Sequence, residues 1–137
     1  MTHETPDAAE TAFYAAFEAL DLGAMAAVWD ADAVCVHPGG PLLRGHQAVM
    51  QSWTEILGNA EPPRIGFDVL QRTVSGDLAV HLVEERIHPK GKSSTHAAAV
   101  IATNTYVRRD GGWKLLAHHA SLPLMRKQAQ RETAQLH

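Results

Sequence analysis

The second half of the chain reads as four consecutive β-strands, and this pattern limits the possible folds more than any other feature. The strand-like runs cover residues 64–73, 78–88, 93–109 and 113–122. Short turn sequences separate them, and the last, Asp110-Gly111-Gly112, accepts the positive φ angles of a tight hairpin. Hairpins that follow one another in this way predict an antiparallel sheet.

The first sixty residues predict helices instead. Residues 5–7 have the composition of a helix start, with a capping hydroxyl, a proline and then an acid. A second, short helix is predicted at residues 24–30 and a third from about Gly45, with a strand at 33–37 between them. The first and third helices carry one apolar face each, formed by Phe13, Phe17 and Leu20 and by Val49, Trp53 and Ile56.

Helices followed by strands predict an α+β domain, with N-terminal helices packed on a strongly curved antiparallel sheet. A length of 137 residues fits one domain, which we place at residues 1–122 with a polar tail at 123–137. The helix faces are rich in aromatic rings. Beside a curved sheet such rings either surround a cavity for a small ligand or fill the core completely, and both interpretations stay open.

Composition argues against several classes of function. The net charge is −3 and no basic face is clustered, so no nucleic-acid partner is expected. No apolar run approaches the roughly 20 residues of a membrane span, and no signal peptide is recognisable, so we expect a cytoplasmic protein without a membrane partner. Cys35, the single cysteine, lies in an apolar run that favours inert packing.

Nine histidines are many for this length, so they are candidates for metal ligands. His37, His81, His96 and His118 lie on different predicted elements, and no two have the spacing of a ligand pair on a helix or strand. We therefore predict no metal. The chain also lacks a glycine-rich phosphate loop, so no organic cofactor is predicted.

Two histidines are candidate catalytic residues. His37 ends the first predicted strand, where it is either a general base or a turn histidine bonded to local backbone. His118 and His119 follow each other on one predicted strand, so one is predicted to point into the fold and the other away, unless a bulge reverses the parity. His118 shares its strand parity with Leu116 and Ala120.

Further candidates are predicted to line a ligand pocket. Glu84 and Arg86 continue the apolar strand face of Leu78, Val80 and Leu82, where they either orient a substrate or form a structural salt bridge. Asn104 and Tyr106 share a face with small residues, which is typical of a pocket wall. The predicted pocket residues are Phe13, Phe17, Trp29, Trp53, Glu84, Arg86, Asn104 and Tyr106.

Three segments resemble the SnoaL-like branch of the nuclear-transport-factor-2-like (NTF2-like) superfamily. They cover residues 19–38, 43–49 and 106–121, and the resemblance extends over residues 13–121. It implies a cone-shaped α+β barrel, a pocket between the helices and the sheet, and usually a dimer across the sheet. The superfamily contains enzymes, binding modules and assembly domains, so the resemblance alone does not assign a function.

Two branches of this superfamily can be compared residue by residue. The C-terminal part resembles the association domain of calcium/calmodulin-dependent kinase II, which lines its cavity with arginines. Arg86 falls at one such position, but Asn104 and Ala120 fall at the others. The resemblance places the strand face of Ala120 inside, which implies that His118 points into the fold and His119 away from it. In ketosteroid isomerase the base is an aspartate before a proline, and His37 takes that place here. The tyrosine donor of that enzyme aligns with Phe13, which argues against steroid isomerisation but not against other proton transfers.

The sequence therefore supports two hypotheses. In the first, a homodimer binds a small, largely apolar molecule and carries out cofactor-free isomerase, lyase or hydratase chemistry. His37 would move a proton while Asn104, Tyr106 or His118 stabilises negative charge. In the second, the chain is a non-catalytic ligand-binding or oligomerisation module. An enzyme requires His37 and a second polar group at one void, whereas an assembly module predicts a cavity filled by aromatic rings.

Overall fold

A computed structural model describes residues 3–58, 61–88 and 98–123 of the chain. Within these ranges the helices are α1 (Pro6–Ala19), α2 (Leu22–Val28) and α3 (His46–Gly58). The strands are β1 (Trp29–Val36), β2 (Leu43–Arg44), β3 (Arg64–Ser75), β4 (Leu78–His88), β5 (Ala98–Arg109) and β6 (Gly112–Ser121). The predicted beginning of the third strand run, at 93–97, and the tail from residue 124 lie outside the described residues.

The strands form one sheet in the order β2-β1-β6-β5-β4-β3. The α+β prediction, with helices on one face of this sheet, is confirmed. The prediction of a purely antiparallel sheet is wrong at one pair, because β1 and β6 are parallel. A parallel pair needs a long connection, and the chain between β1 and β6 provides one through α3 and three strands.

The ends of α1 follow from local chemistry. The Thr5 hydroxyl accepts the backbone N–H of Ala8 at 3.0 Å, and Pro6 occupies the first turn, where its missing N–H has no cost. Leu20 ends the helix in the left-handed conformation, with a φ of 55°. The Asp21 side chain then caps α2 by accepting the N–H of Ala24. These contacts orient α1 so that its aromatic face lies over the sheet.

The face of β4 that is buried is not the face that the sequence predicted. Ala79, Val83 and the polar residues between and beyond them are buried under the helices, whereas Leu78 and Leu82 are 46% and 40% exposed. The face predicted to be internal is therefore the outer face. Strand alternation separates a strand into two faces, but both faces of β4 carry apolar residues, so the pattern alone could not say which face is buried.

A bulge changes the parity of β6. Tyr106 pairs with Leu115 and Thr105 pairs with Ala117, so Leu116 is an extra residue on β6. As a result Leu115 and His118 both point inward, although their separation of three residues predicts opposite faces. The inward position of His118 agrees with the prediction. The predicted inward position of Leu116 and outward position of Leu115 are wrong.

The core between helices and sheet is built around Phe13, which is fully buried. Its ring makes edge contacts with Tyr14, Trp29 and Trp53 at centroid distances of 4.8, 5.8 and 5.5 Å. Such edge-to-face arrangements add to the free energy gained by burying the rings. Among the described residues no helix is both long and apolar enough to cross a membrane.

Candidate active site

His118 lies at the centre of the aromatic cluster on the inner face of β6. Its ring centroid is 5.2 Å from that of Phe13, 6.4 Å from Trp29 and 6.5 Å from Trp53. Burial, with a smaller contribution from the nearby His37 and His119, lowers the pKa of His118 to about 3. The imidazole is therefore neutral at physiological pH and has one nitrogen with a free lone pair.

His37 follows the end of β1 and packs edge-on against Trp53 at 5.0 Å. Its Nε2 lies 2.9 Å from the Ser52 hydroxyl, which itself donates to the carbonyl of Val49 at 2.6 Å. Because the hydroxyl proton is used in that bond, Nε2 of His37 donates and Nδ1 carries the lone pair. Burial lowers the pKa of His37 as well. Its side chain is thus held by α3, not by the local turn.

Glu85 is the carboxyl group of the site, and it lies on the inner face of β4 with 3% of its surface exposed. Burial raises its pKa, the hydrogen bond from Tyr14 opposes this, and the charge of Glu10 raises the pKa further. The Tyr14 hydroxyl donates to Oε2 of Glu85 at 2.5 Å. A carboxyl group with a raised pKa can both give and accept a proton closer to neutral pH.

Cys35 lies between these groups. It pairs with His118 in the parallel ladder of β1 and β6, and its Sγ is 3.7 Å from Nε2 of His37. Burial, together with the charge of Glu85, raises the pKa of the thiol to about 12. The thiol is therefore protonated and inert, as the sequence predicted. Cys35 is therefore a neighbour of both His37 and His118, and the pKa of its thiol responds to the charge of Glu85.

Asn104 joins the two carboxyl groups and His118. Its Nδ2 donates to the Tyr14 hydroxyl at 2.9 Å and lies 3.3 Å from Oε2 of Glu10, and its Oδ1 is 2.5 Å from Nδ1 of His118. Glu10 receives two further donors, from Tyr106 at 2.7 Å and from Nδ1 of His81 at 2.9 Å. These contacts make one continuous network of buried polar groups, in which each side chain satisfies its neighbour.

Both tyrosines of the network remain protonated donors. Burial, followed by the charge of Glu85, raises the pKa of Tyr14. Burial, followed by the charge of Glu10, likewise raises the pKa of Tyr106 well above its usual value. Tyr14 can therefore hold a proton next to Glu85 at any physiological pH. The Tyr106 hydroxyl donates its proton to Glu10.

Most of the predicted pocket residues meet on the inner face. Phe13, Trp29 and Trp53 surround His118, and Phe17 packs on Trp53 at 5.0 Å. The sheet contributes Asn104 and Tyr106, both fully buried, to the network described above.

The structure does not bring Glu84 and Arg86 to this site. Both lie on the outer face, where the Arg86 guanidinium contacts the carboxylates of Asp68 and, at 3.6 Å, Glu84. Their prediction as pocket residues is therefore wrong, because it depended on the inverted faces of β4. Of the two interpretations of the pair, the structure supports the salt bridge.

Sequence reasoning missed Glu10, Tyr14 and Glu85 as site residues. Glu10 lies three and four residues before Phe13 and Tyr14, so helical spacing already placed this carboxyl group on the aromatic face of α1. Glu85 shares its strand parity with His81, which marks a polar inner face once the correct side of β4 is known. The spacing in the sequence is therefore sufficient to identify Glu10 as a candidate, whereas Glu85 can be identified only when the buried face of β4 is known.

A group of possible metal ligands lies at the edge of the network. Ligand atoms of Asp7, Glu10 and His81 all lie within 4.8 Å of one another. His81 uses Nδ1 to donate to Glu10, and the exposed Asp7 pairs with Arg72 at 3.0 Å. Direct hydrogen bonds and an ion pair thus already engage these groups.

A surface groove approaches the site from the side of α1. It encloses about 190 Å³ and is lined by Thr11, Tyr14, Ala15, Glu18, Ile65 and Phe67. The Phe67 ring stacks on Tyr14 at a centroid distance of 4.4 Å. The hydroxyl of that same Tyr14 contacts Glu85, so one tyrosine separates this groove from the buried carboxyl group.

We expect acidification to weaken the folded state through His118. Its pKa falls from 6.5 to about 3 on folding, so between these values the unfolded chain binds a proton that the native protein excludes. The stability is fully present above about pH 6.5 and is lost as the pH falls, by up to about 1.4 kcal/mol per pH unit. Urea unfolding between about pH 4 and pH 7 measures this slope.

The matched control is His118→Gln, which keeps a donor toward Asn104 but cannot be protonated in this range. Glu85 contributes with the opposite sign, because its raised pKa means that stability falls as pH rises. That contribution is present in both proteins and cancels in the difference. Identical pH slopes for the wild type and the variant would contradict the burial of a neutral His118.

Solved structures with this architecture include proteins assigned as an enzyme and as an association domain. A protein from Thiobacillus denitrificans, assigned as a calcium/calmodulin-dependent protein kinase type II association domain, is 35% identical with a TM-score of 0.84, covering 90% of this chain and 99% of that chain. A protein from Streptomyces avermitilis, assigned as a dehydratase of the NTF2-like family, is 33% identical with a TM-score of 0.74, covering 88% of this chain and 100% of that one.

F-box protein SKIP8 of Arabidopsis thaliana is 29% identical over 117 residues, which are 84% of this chain and 48% of that protein. The chain thus spans about half the length of this curated relative. The family model of the SnoaL-like domain matches residues 7–125. Because that match covers more than half of the chain and every strand of the described fold, the chain belongs to the SnoaL-like domain family, within the NTF2-like fold.

Proposed function

We propose that the protein binds a small, uncharged and largely apolar molecule between its helices and sheet and exchanges protons with it by acid-base catalysis. The observation that carries this proposal is that His37 and His118 both pack against Trp53. Hydrogen bonds through Tyr14 and Asn104 connect Glu85 to His118. Reactions of the isomerase, lyase or hydratase type need such groups and no organic cofactor. The similarity to an assigned dehydratase agrees with this class of chemistry.

The protonation states of these groups support proton transfer. His37 and His118 are both neutral near pH 7 because burial lowers their pKa values, so each has a nitrogen that can accept a proton. Glu85 has a raised pKa and touches a tyrosine donor. Aromatic rings around these groups lower the local dielectric constant, which strengthens each electrostatic interaction with a bound ligand.

The charge of the interior favours an uncharged ligand. In the described ranges every arginine and lysine is half-buried or exposed, and Arg86 in particular lies on the outer face. The two carboxyl groups of the hydrogen-bond network, Glu10 and Glu85, present oxygen atoms that would repel an anion. Burying an anion without a compensating cation is costly, so a carboxylate ligand is disfavoured.

Two dyes with the same ring skeleton test the predicted ligand class. We expect the neutral N-phenyl-1-naphthylamine to bind at least about tenfold more tightly than 8-anilinonaphthalene-1-sulfonate, which adds one negative charge. Fluorescence titration measures both affinities. Equal binding of the two dyes, or tighter binding of the sulfonate, would contradict a site that selects uncharged molecules.

The location of the bound dye needs its own control. Ala102→Phe places a ring on the inner face beside Asn104 and is expected to abolish binding, since Ala102 is fully buried there. Ile101→Phe changes the neighbouring, partly exposed residue on the outer face and is expected to leave binding unchanged. Thermal unfolding of both variants confirms that each is folded.

Exchange of carbon-bound protons tests catalysis without knowledge of the natural substrate. We expect the protein to accelerate exchange of the α-protons of 2-tetralone in D₂O, as followed by ¹H NMR, with Glu85 or His37 removing the proton. Glu85→Gln or His37→Gln should reduce the acceleration by about 10²-fold or more. The matched control is Glu84→Gln, which removes the adjacent carboxylate on the outer face. If neither variant differs from the control, the site binds without catalysing.

A second proposal concerns assembly, because the outer face of the sheet is apolar. Leu78, Leu82 and Ile101 are 46%, 40% and 36% exposed, and strand pairing places them on one side of β4 and β5. A continuous apolar surface of this kind is usually covered by another protein. We infer that a second copy of the chain covers it and forms a homodimer.

We expect Leu82→Glu to shift the protein to a monomer, since a carboxylate in the centre of an apolar interface would be buried without a partner. Sedimentation velocity over a range of concentrations measures the change. Leu42→Glu is the control, because Leu42 is 51% exposed but lies outside the strands. A wild-type protein that remains monomeric at high concentration would contradict the dimer.

A further inference from the structure

The hydrogen-bonding groups around the Asn104 amide fix its orientation. The Tyr14 hydroxyl donates its proton to Oε2 of Glu85, so its oxygen, 2.9 Å from one end of this amide, acts as a hydrogen-bond acceptor. The NH₂ group must therefore face Tyr14, and it also lies 3.3 Å from Oε2 of Glu10. The Oδ1 atom is left facing His118, because the reverse orientation would set the amide oxygen against a hydroxyl oxygen whose proton is already used.

This orientation determines which nitrogen of His118 carries the proton. Nδ1 of His118 is 2.5 Å from Oδ1 of Asn104, and an amide oxygen cannot donate. The proton is consequently on Nδ1. In a neutral imidazole the other nitrogen, Nε2, is then a hydrogen-bond acceptor, and it lies across the ring from Asn104 among the aromatic side chains.

We propose that Asn104 is a positioning residue that holds His118 in the Nδ1–H form, so that Nε2 of His118 accepts a hydrogen bond from a hydroxyl group of the ligand. This inference rests on the proposed function and narrows its ligand class from uncharged apolar molecules to those that carry a hydroxyl. Asn104 itself acts through His118.

A second observation points to the same chemical group. In the described part of the chain, Nε1 of Trp53 is buried without a hydrogen-bond partner, and the residue is 1% exposed. Its ring packs against both His37 and His118. An unpaired buried donor is costly, which makes it a ready partner for a ligand acceptor. A hydroxyl group both accepts and donates, so it matches an indole N–H together with an imidazole lone pair.

The tautomer of His118 is tested directly by long-range ¹H–¹⁵N correlation NMR of the wild-type protein. We expect a protonated Nδ1 and an unprotonated Nε2. A protonated Nε2 in the wild type would overturn the proposal without the need for any variant. Asn104→Leu, which removes the acceptor, should increase the Nε2–H population, and Asn104→Asp, which keeps an oxygen in place, should preserve the Nδ1–H form. Unchanged tautomers in a folded Asn104→Leu protein would also contradict the assigned role.

Ligand selection is tested with naphthalene and 2-naphthol, which differ by one hydroxyl group. We expect 2-naphthol to bind about three- to tenfold more tightly in an NMR titration, the effect of one buried hydrogen bond. The preference should disappear in Asn104→Leu while naphthalene affinity stays within about twofold. Equal affinities of the two probes for the wild type would overturn this inference but leave the proposed function intact. Failure of both probes to bind would count against the proposed function itself.

Discussion

The buried carboxylate of Glu10 organises the polar interior of this domain. It lies on α1, and its three donors come from β4 and β5, so a single side chain ties the first helix to the middle of the sheet. It also accepts a hydrogen bond from the Asn104 amide, which in turn bonds to Tyr14 and His118. Removing the carboxylate would leave three buried donors unsatisfied, each at a cost of about 1–3 kcal/mol. The geometry of the candidate site therefore depends on this carboxyl group.

The aromatic cluster controls the proton affinities of the groups in and around this network. Phe13, Trp29 and Trp53 surround His118 and keep its imidazole neutral, while Tyr14 and the burial of Glu85 control the proton on that carboxyl group. The same rings that fill the core thus set the proton affinities of the polar groups among them. The rings pack closely and still leave acid-base groups at their centre.

The sheet separates two kinds of surface. Its inner face carries the polar network and the rings, and its outer face carries Leu78, Leu82 and Ile101 beside the Glu84–Arg86 pair. On β4 neighbouring residues serve opposite faces, so Glu84 belongs to an exposed ion pair and Glu85 to the interior. Catalysis and assembly, as proposed, would use opposite faces of the same strands. A substitution on one face can consequently be controlled by a substitution at the next residue.

The sequence by itself determined the α+β class and the approximate positions of the helices and hairpins, because these follow from local periodicity and turn chemistry. The inward direction of His118 followed from the family resemblance, since the bulge in β6 breaks the strand parity there. The helical spacing of Glu10, Phe13 and Tyr14 also places the Glu10 carboxyl group on the aromatic face of α1. Only the tertiary structure decided which face of β4 is buried, because both faces carry apolar residues and the choice depends on where the helices pack. The bulge at Leu116 and the parallel pairing of β1 with β6 were likewise decided by contacts between strands distant in sequence. Because the helices cover the other face of β4 than the one predicted, Glu85 lies in the site, whereas Glu84 and Arg86 lie on the outer face.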